Sequence, residues 1–223
     1  MGSYEDTITV LEAELAAVEQ VFAGLSEAEW QQPTTLVPTD PALPHWTVFE
    51  LAGHFDISIG LTRMLISGRE DSQPARDRTS FFINPRSETA PVVYEYAYKM
   101  VEGKTPAGMP AVLHETFSQT VAEARAVPPA TVGPGYFAPM RVDEFVASRI
   151  VEAVVHGIDL TQALSRDTIA SPAGIAVTAA ILDDLLARRT IPGRPAELSD
   201  DLGWILAASG RTESSDNRLP LIG

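Results

Sequence analysis

The sequence predicts an all-α protein, built as a helical bundle followed by a small, mainly helical C-terminal segment. Apolar residues recur at helical spacing along several long segments, and prolines and glycines gather between those segments. The 223 residues are 45% hydrophobic and 21% charged, which is ordinary globular usage and enough for one sizeable core.

The first predicted helix covers residues 5–25. Its apolar side chains recur at alternating steps of three and four, the seam of a helix packed along its length in a bundle. They are Ile8, Leu11, Leu15, Val18, Phe22 and Leu25. The following segment, 31–45, contains four prolines and is therefore predicted to be a loop.

The second helix is predicted from Thr47 to about Ile66, ending near Gly68. Thr47 and Glu50 have the spacing of a capping box, in which each side chain satisfies a free backbone N–H group at the helix start. His54 falls between the apolar residues of this helix, so we expect it on the buried side.

The later segments alternate between loops and helices. Loops are expected at 69–90 and 127–139, and helices at 91–126 (interrupted at 103–110), 142–164, 172–189 and 198–208. Substrate contacts are expected from the loops at 31–45, 69–90 and 127–139. Four aromatic residues there are either cavity candidates or exposed loop packing: Phe81, Phe82, Tyr136 and Phe137.

The helix at 142–164 carries one polar line on an otherwise apolar background. Its members are Arg149, Glu152, His156 and Asp159, at steps of three, four and three. Side chains at such steps lie on the same side of a helix, and buried charges need a partner. The line is thus either an internal salt-bridge chain or part of a metal site.

His54 favours the metal site. Two histidines and one carboxylate form a common catalytic zinc set, with an open position for water or a substrate atom. The predicted metal ligands are therefore His54, Glu152 and His156, on two helices that can pack together. The same mixed nitrogen and oxygen ligands also accept iron, nickel or cobalt. Surface or core roles are expected for His45 and His114.

The charge and the absence of cysteine argue against several kinds of partner and of chemistry. Sixteen basic and thirty acidic residues give a net charge of −14, which disfavours nucleic acid and anionic membrane surfaces as partners. The chain contains no cysteine, so any thiol chemistry must use a thiol carried by a small molecule. No export signal or membrane-spanning run is found, and a cytoplasmic location is expected.

Four motifs carry a resemblance to a known family. WQQPT (30–34), HWTV (45–48), ELAGH (50–54) and EAVVHGIDL (152–160) resemble the mycothiol-dependent maleylpyruvate isomerase family of DinB-like metal-binding four-helix bundles. The resemblance covers roughly residues 5–165. It implies a DinB-like bundle over 1–165, with a small extension at 166–223 packed on it. It also implies metal ligation by His54, Glu152 and His156, oriented by Arg149 and Asp159.

By resemblance, the chain is a metal-dependent enzyme in which mycothiol attacks an electrophilic small molecule, as an S-transferase or a cis–trans isomerase. Two alternatives remain open: a hydrolase using metal-bound water, and a metal-stabilised binding or regulatory module without activity. The resemblance weakens after residue 165, where family members with isomerase activity carry a larger C-terminal domain. The segment Ala208–Arg211 resembles a short C-terminal family pattern, and no catalytic role is assigned to Arg211.

Overall fold

The computed structural model describes residues 2–36, 38, 42–84, 86–189 and 193–222, with only the backbone of 86 and 87. This part of the chain forms eight α-helices and one short antiparallel β-hairpin. The helices are α1 (Tyr4–Ala23), α2 (Glu27–Trp30), α3 (Val48–Ser67), α4 (Arg86–Val101), α5 (Met109–Arg125), α6 (Val142–Ala163), α7 (Pro172–Arg189) and α8 (Asp201–Ala208), and the strands are β1 (Val132–Gly133) and β2 (Met140–Arg141). The all-α prediction is confirmed.

Four helices form the bundle. α1 packs against α5 and α6, and α3 packs against the same two helices, so the four close a ring around one apolar core. α4 lies outside the ring against α3. A Cβ atom added to Gly53 would meet the carbonyl oxygen of Ala97 at 2.6 Å, so this glycine permits the close approach of α4 to α3.

The C-terminal helices pack onto one side of the bundle. α7 contacts α6 and α1, and α8 contacts α7. Glu14 of α1 accepts a hydrogen bond from the backbone N–H of Ser171 at 3.0 Å, next to the start of α7. These contacts agree with an extension packed on the bundle, and the division at residue 165 stays a prediction.

Local signals in the sequence position the helix ends. The predicted capping box of α3 is present, with Thr47 as N-cap and Glu50 bonded back to the Thr47 backbone N–H. α3 ends at Gly68, as predicted, and the interruption between α4 and α5 falls at 102–108, close to the predicted 103–110.

Three local features differ from the predictions. α4 begins at Arg86 inside the predicted polar loop, and it accommodates Pro91 within its first two turns. The helix α2 and the hairpin were not predicted, because four- and two-residue elements are too short for any periodicity. Of the predicted loop at 31–45, residues 37 and 39–41 lie outside the described part of the chain.

No described helix is long and apolar enough to cross a lipid bilayer.

Candidate metal centre

The packing of α3 against α6 brings three potential metal ligands together. His54 projects from α3, and Glu152 and His156 project from successive turns of α6. One ligand atom from each lies within 4.8 Å of the others. His54 is buried, with 6% of its surface exposed, while the two α6 residues are partly open.

Glu152 lies between the two imidazoles. Its Oε2 atom is 3.4 Å from Nε2 of His54 and 3.4 Å from Nε2 of His156. The two rings meet edge to face, with centroids 4.4 Å apart. All three side chains therefore direct a donor atom toward one point. In the sequence, 98 residues separate His54 from Glu152, and four separate Glu152 from His156.

Asp159 holds the far side of the His156 ring. Its Oδ2 atom is 2.8 Å from Nδ1 of His156, so it accepts from the Nδ1–H group and leaves Nε2 as the nitrogen that faces Glu152. Arg211 donates to both oxygens of Asp159, from Nε at 2.9 Å and from Nη2 at 2.7 Å. A chain of contacts thus runs from the C-terminal segment through α6 to the potential ligand.

Packing rather than hydrogen bonding fixes the Nδ1 side of the His54 ring. Its Nδ1 atom is buried and finds no hydrogen-bond partner among the described residues. Instead the indole of Trp46 lies against the imidazole, with ring centroids 5.3 Å apart. Trp46 belongs to the segment that leads into the α3 capping box, so this local motif also orients the histidine.

Arg149 supplies a buried positive charge beside Glu152. Its Nη2 atom lies 3.9 Å from Oε1 of Glu152, and its Nη1 donates to the carbonyl of Ser58 at 3.0 Å. The guanidinium lies over both Phe81 and Phe145, at 4.6 and 4.5 Å from the ring centroids, and these two rings meet edge to face. This position fits an electrostatic and orienting role toward Glu152.

The shifted pKa values indicate how protons are distributed at the site. Burial raises the pKa of Glu152, but Arg149 and the two histidines outweigh burial and bring it well below the usual value. Burial and the neighbouring His156 lower the pKa of His54. For His156, burial acts downward but the bonds with Asp159 and Glu152 raise the pKa. The carboxylate is therefore ionised and His54 neutral at neutral pH, whereas the raised pKa of His156 means that a metal ion would have to displace a proton from this ligand.

The three residues line a cavity of about 430 Å³, within the range of small-molecule sites. All four aromatic candidates from the predicted loops border this cavity: Phe81, Phe82, Tyr136 and Phe137. Tyr136 and Phe137 are 41% and 36% exposed, so they stand at its accessible side. The structure therefore gives these residues a place in the cavity wall in addition to packing against one another.

The remaining histidines lie apart from the site. His45 is exposed, and His114 on α5 is exposed and lies 2.8 Å from Glu19. Arg211, which received no role from the sequence, lines the cavity and is bonded to Asp159. The resemblance of Ala208–Arg211 to a family pattern was the signal for Arg211 in the sequence. Its pairing with Asp159 spans 52 residues, and no local sequence pattern encodes such a contact.

The fold and the site together define a class: a helical bundle in which two histidines and one carboxylate converge beside a cavity that opens to solvent. Within this class the family is clear. A sequence model described as the mycothiol maleylpyruvate isomerase N-terminal domain matches residues 11–161, and the chain belongs to this family. Because the matched segment includes α3 and α6, it contains all three potential ligands.

Solved structures show the same fold. A crystal structure of the mycothiol-dependent maleylpyruvate isomerase matches with a TM-score of 0.54 and 14% identity, covering 84% of this chain and 69% of that one. A histidine-to-alanine variant of that enzyme matches with a TM-score of 0.52, at the same identity and coverage. No curated protein sequence matches this chain.

Proposed function

We propose that the protein is a metal-dependent enzyme in which a low-molecular-weight thiol, mycothiol, attacks an electrophilic small molecule. The observation that carries the proposal is the convergence of His54, Glu152 and His156 on the wall of a largely apolar cavity. A site that is open to a cavity suits chemistry on a bound molecule better than a purely structural role.

The donor set fits a divalent cation. Ligand atoms placed about 2.0–2.1 Å from a tetrahedral zinc ion are roughly 3.4 Å apart. The carboxylate oxygen of Glu152 lies 3.4 Å from each histidine nitrogen, close to that spacing. Three protein ligands leave room for one further ligand from the cavity. The identity of the metal rests on the donor chemistry, which zinc matches and which iron, nickel and cobalt also tolerate.

A coordinated cation favours the thiolate form of a thiol at neutral pH, which is the chemistry that the metal supplies. The chain's own residues prepare the site for it. Asp159 accepts from Nδ1–H of His156 and so turns Nε2 toward the site, and Arg149 keeps Glu152 ionised. The cavity beside the site is lined mainly by aromatic and aliphatic side chains, which suits an apolar reactant.

The thiol must come from outside the chain, which has no cysteine. Membership of the mycothiol maleylpyruvate isomerase family supports mycothiol as that thiol. If the sulfur stays bonded to the substrate carbon, the reaction is an S-transfer. If it adds to a double bond, allows rotation and then leaves, the reaction is a cis–trans isomerisation.

The test is the rate of thiol-dependent conversion of a panel of electrophiles by metal-loaded protein. We expect acceleration over the uncatalysed reaction that requires mycothiol and disappears in Glu152→Gln, since the amide removes the anionic ligand but keeps the shape. Turnover without any thiol would instead indicate hydrolysis. No binding heat on titration with mycothiol, together with no conversion of any electrophile, would refute the proposal.

A further inference from the structure

The cavity walls carry aromatic rings on two sides. Trp46 and Tyr94 are stacked with centroids 6.0 Å apart, and Trp46 lies against His54. Phe81 contacts Phe137, with centroids 5.5 Å apart, and the Phe81 ring covers the Arg149 guanidinium. Aliphatic side chains of α3, α4 and α6 fill the wall between these groups. Such a lining favours an apolar ligand with a planar group.

The charged residues that line the cavity are already paired. Arg211 donates to both oxygens of Asp159, and its remaining Nη1 donates to the carbonyl of Ser209 at 2.5 Å. Arg149 is 1% exposed and bonded to Ser58 and Ser148. Among the described lining residues there is no other lysine or arginine. The two positive charges of the proposed metal ion would be balanced by Glu152 and the bound thiolate, so the site would hold no spare positive charge for an anionic substrate.

The net charge of the whole chain also disfavours an anionic substrate. With a net charge of −14, the protein repels small anions approaching through solvent. A carboxylate entering the cavity would also lose its hydration, and this costs several kcal/mol unless a cation compensates for it.

We propose that this site takes an uncharged, largely apolar electrophile about the size of a substituted aromatic ring. The inference rests on the proposed function, because it names the substrate class of the same thiol-dependent site. The cavity of about 430 Å³ lies next to the three potential metal ligands, and its aromatic walls provide stacking faces for such a molecule.

A matched ligand pair tests the preference without turnover. 1,3-Dinitrobenzene and 3,5-dinitrobenzoate differ by one carboxylate, and neither carries a leaving group. Isothermal titration calorimetry on metal-loaded, mycothiol-saturated protein should give a Kd at least about tenfold lower for the uncharged compound. Equal or tighter binding of the benzoate would overturn the inference.

A pair of variants locates the binding. Phe137→Ala removes a cavity wall and should raise the Kd of 1,3-dinitrobenzene by about three- to tenfold. Met64→Ala is the control, since Met64 is 59% exposed and does not line the cavity, and its Kd should match the wild type. Equal binding by both variants would place the ligand elsewhere and contradict the inference.

Rates with two reactive substrates then distinguish a failure of this inference from a failure of the proposed function. With 1-chloro-2,4-dinitrobenzene, a C–S bond forms at the ring carbon, chloride leaves with the bonding electrons, and the thiol proton passes to solvent. We expect a larger acceleration over the uncatalysed rate for this compound than for 4-chloro-3,5-dinitrobenzoate. The reverse order would overturn the inference while leaving the thiol-dependent function intact. Acceleration of neither compound would count against the proposed function, and the binding pair would still decide the inference.

Discussion

α3 carries two buried ionisable residues, His54 and Asp56, and their surroundings differ. Asp56 is closed off by its partners, with Lys104 at 3.0 Å and Thr116 at 2.6 Å, one on each carboxylate oxygen. His54 instead faces a carboxylate that a second histidine shares, beside a cavity. A closed ion pair stabilises the fold, whereas convergent donors with an open side suit a metal ion.

For the proposed metal centre, the comparison is tested by a substitution at Asp159. Asp159→Asn keeps the shape but removes the charge that holds Nδ1 of His156 protonated. We expect the affinity for zinc to fall by about 10- to 100-fold, the usual effect of losing a carboxylate behind a histidine ligand. Competition with a chelator of known affinity measures it.

The matched control for Asp159 is the other carboxylate in the comparison. Asp56→Asn lies outside the metal centre and should bind zinc with wild-type affinity. Equal losses in both variants would mean that general destabilisation, rather than ligand orientation, explains the effect.

For the structural ion pair, the comparison is tested by a substitution at Asp56. Asp56→Ala leaves the Thr116 hydroxyl without its acceptor and Lys104 without its counter-ion. We expect the free energy of unfolding to fall by about 2–4 kcal/mol, less than for a fully buried pair because the Lys104 side chain is 30% exposed. Urea denaturation of metal-free protein measures it, and a change below about 0.5 kcal/mol would contradict the account.

Glu14 sharpens the comparison, because it is a buried carboxylate that bonds to Ser171 and has no ion pair with a described lysine or arginine. Burial raises the pKa of Glu14, although the bonds from Ser171 act in the opposite direction. Because the pKa is higher in the folded state, stability from this group is present at low pH and is lost as pH rises above the unfolded value of about 4.5.

Glu14→Gln removes this pH dependence. We expect the unfolding free energy of the variant, relative to wild type, to rise between pH 4 and pH 7, because only the wild type loses this contribution as Glu14 ionises. Denaturant unfolding at both pH values measures the difference. A relative fall over the same interval would contradict the assigned direction of the pKa shift.

The sequence predicted those features that are encoded locally. Helical spacing placed Glu152 and His156 on one face, and the capping box at Thr47 fixed the start of α3 and thereby the burial of His54. Both are properties of a single helix. The division of the chain at residue 165 and the identity of the metal stay predictions.

Features that depend on tertiary contacts were not predictable in the same way. Arg211 reaches Asp159 only because α7 packs on α6 and α8 in turn packs on α7. Phe81 and Phe137 meet from separate loops to form one cavity wall, which neither loop signals alone. The β-hairpin depends on Gly133, where a Cβ atom would lie 2.0 Å from the Leu65 carbonyl oxygen, a contact invisible in the sequence.

The most direct test of the metal centre is the metal content of protein purified without added metal, measured by inductively coupled plasma mass spectrometry for wild type and His156→Ala. We predict about one divalent ion per wild-type chain and none in the variant, with Asp56→Asn retaining the wild-type content. Absence of metal from the wild type, even after zinc is added, would contradict the account. The polar line of α6 would then be a buried ionic network.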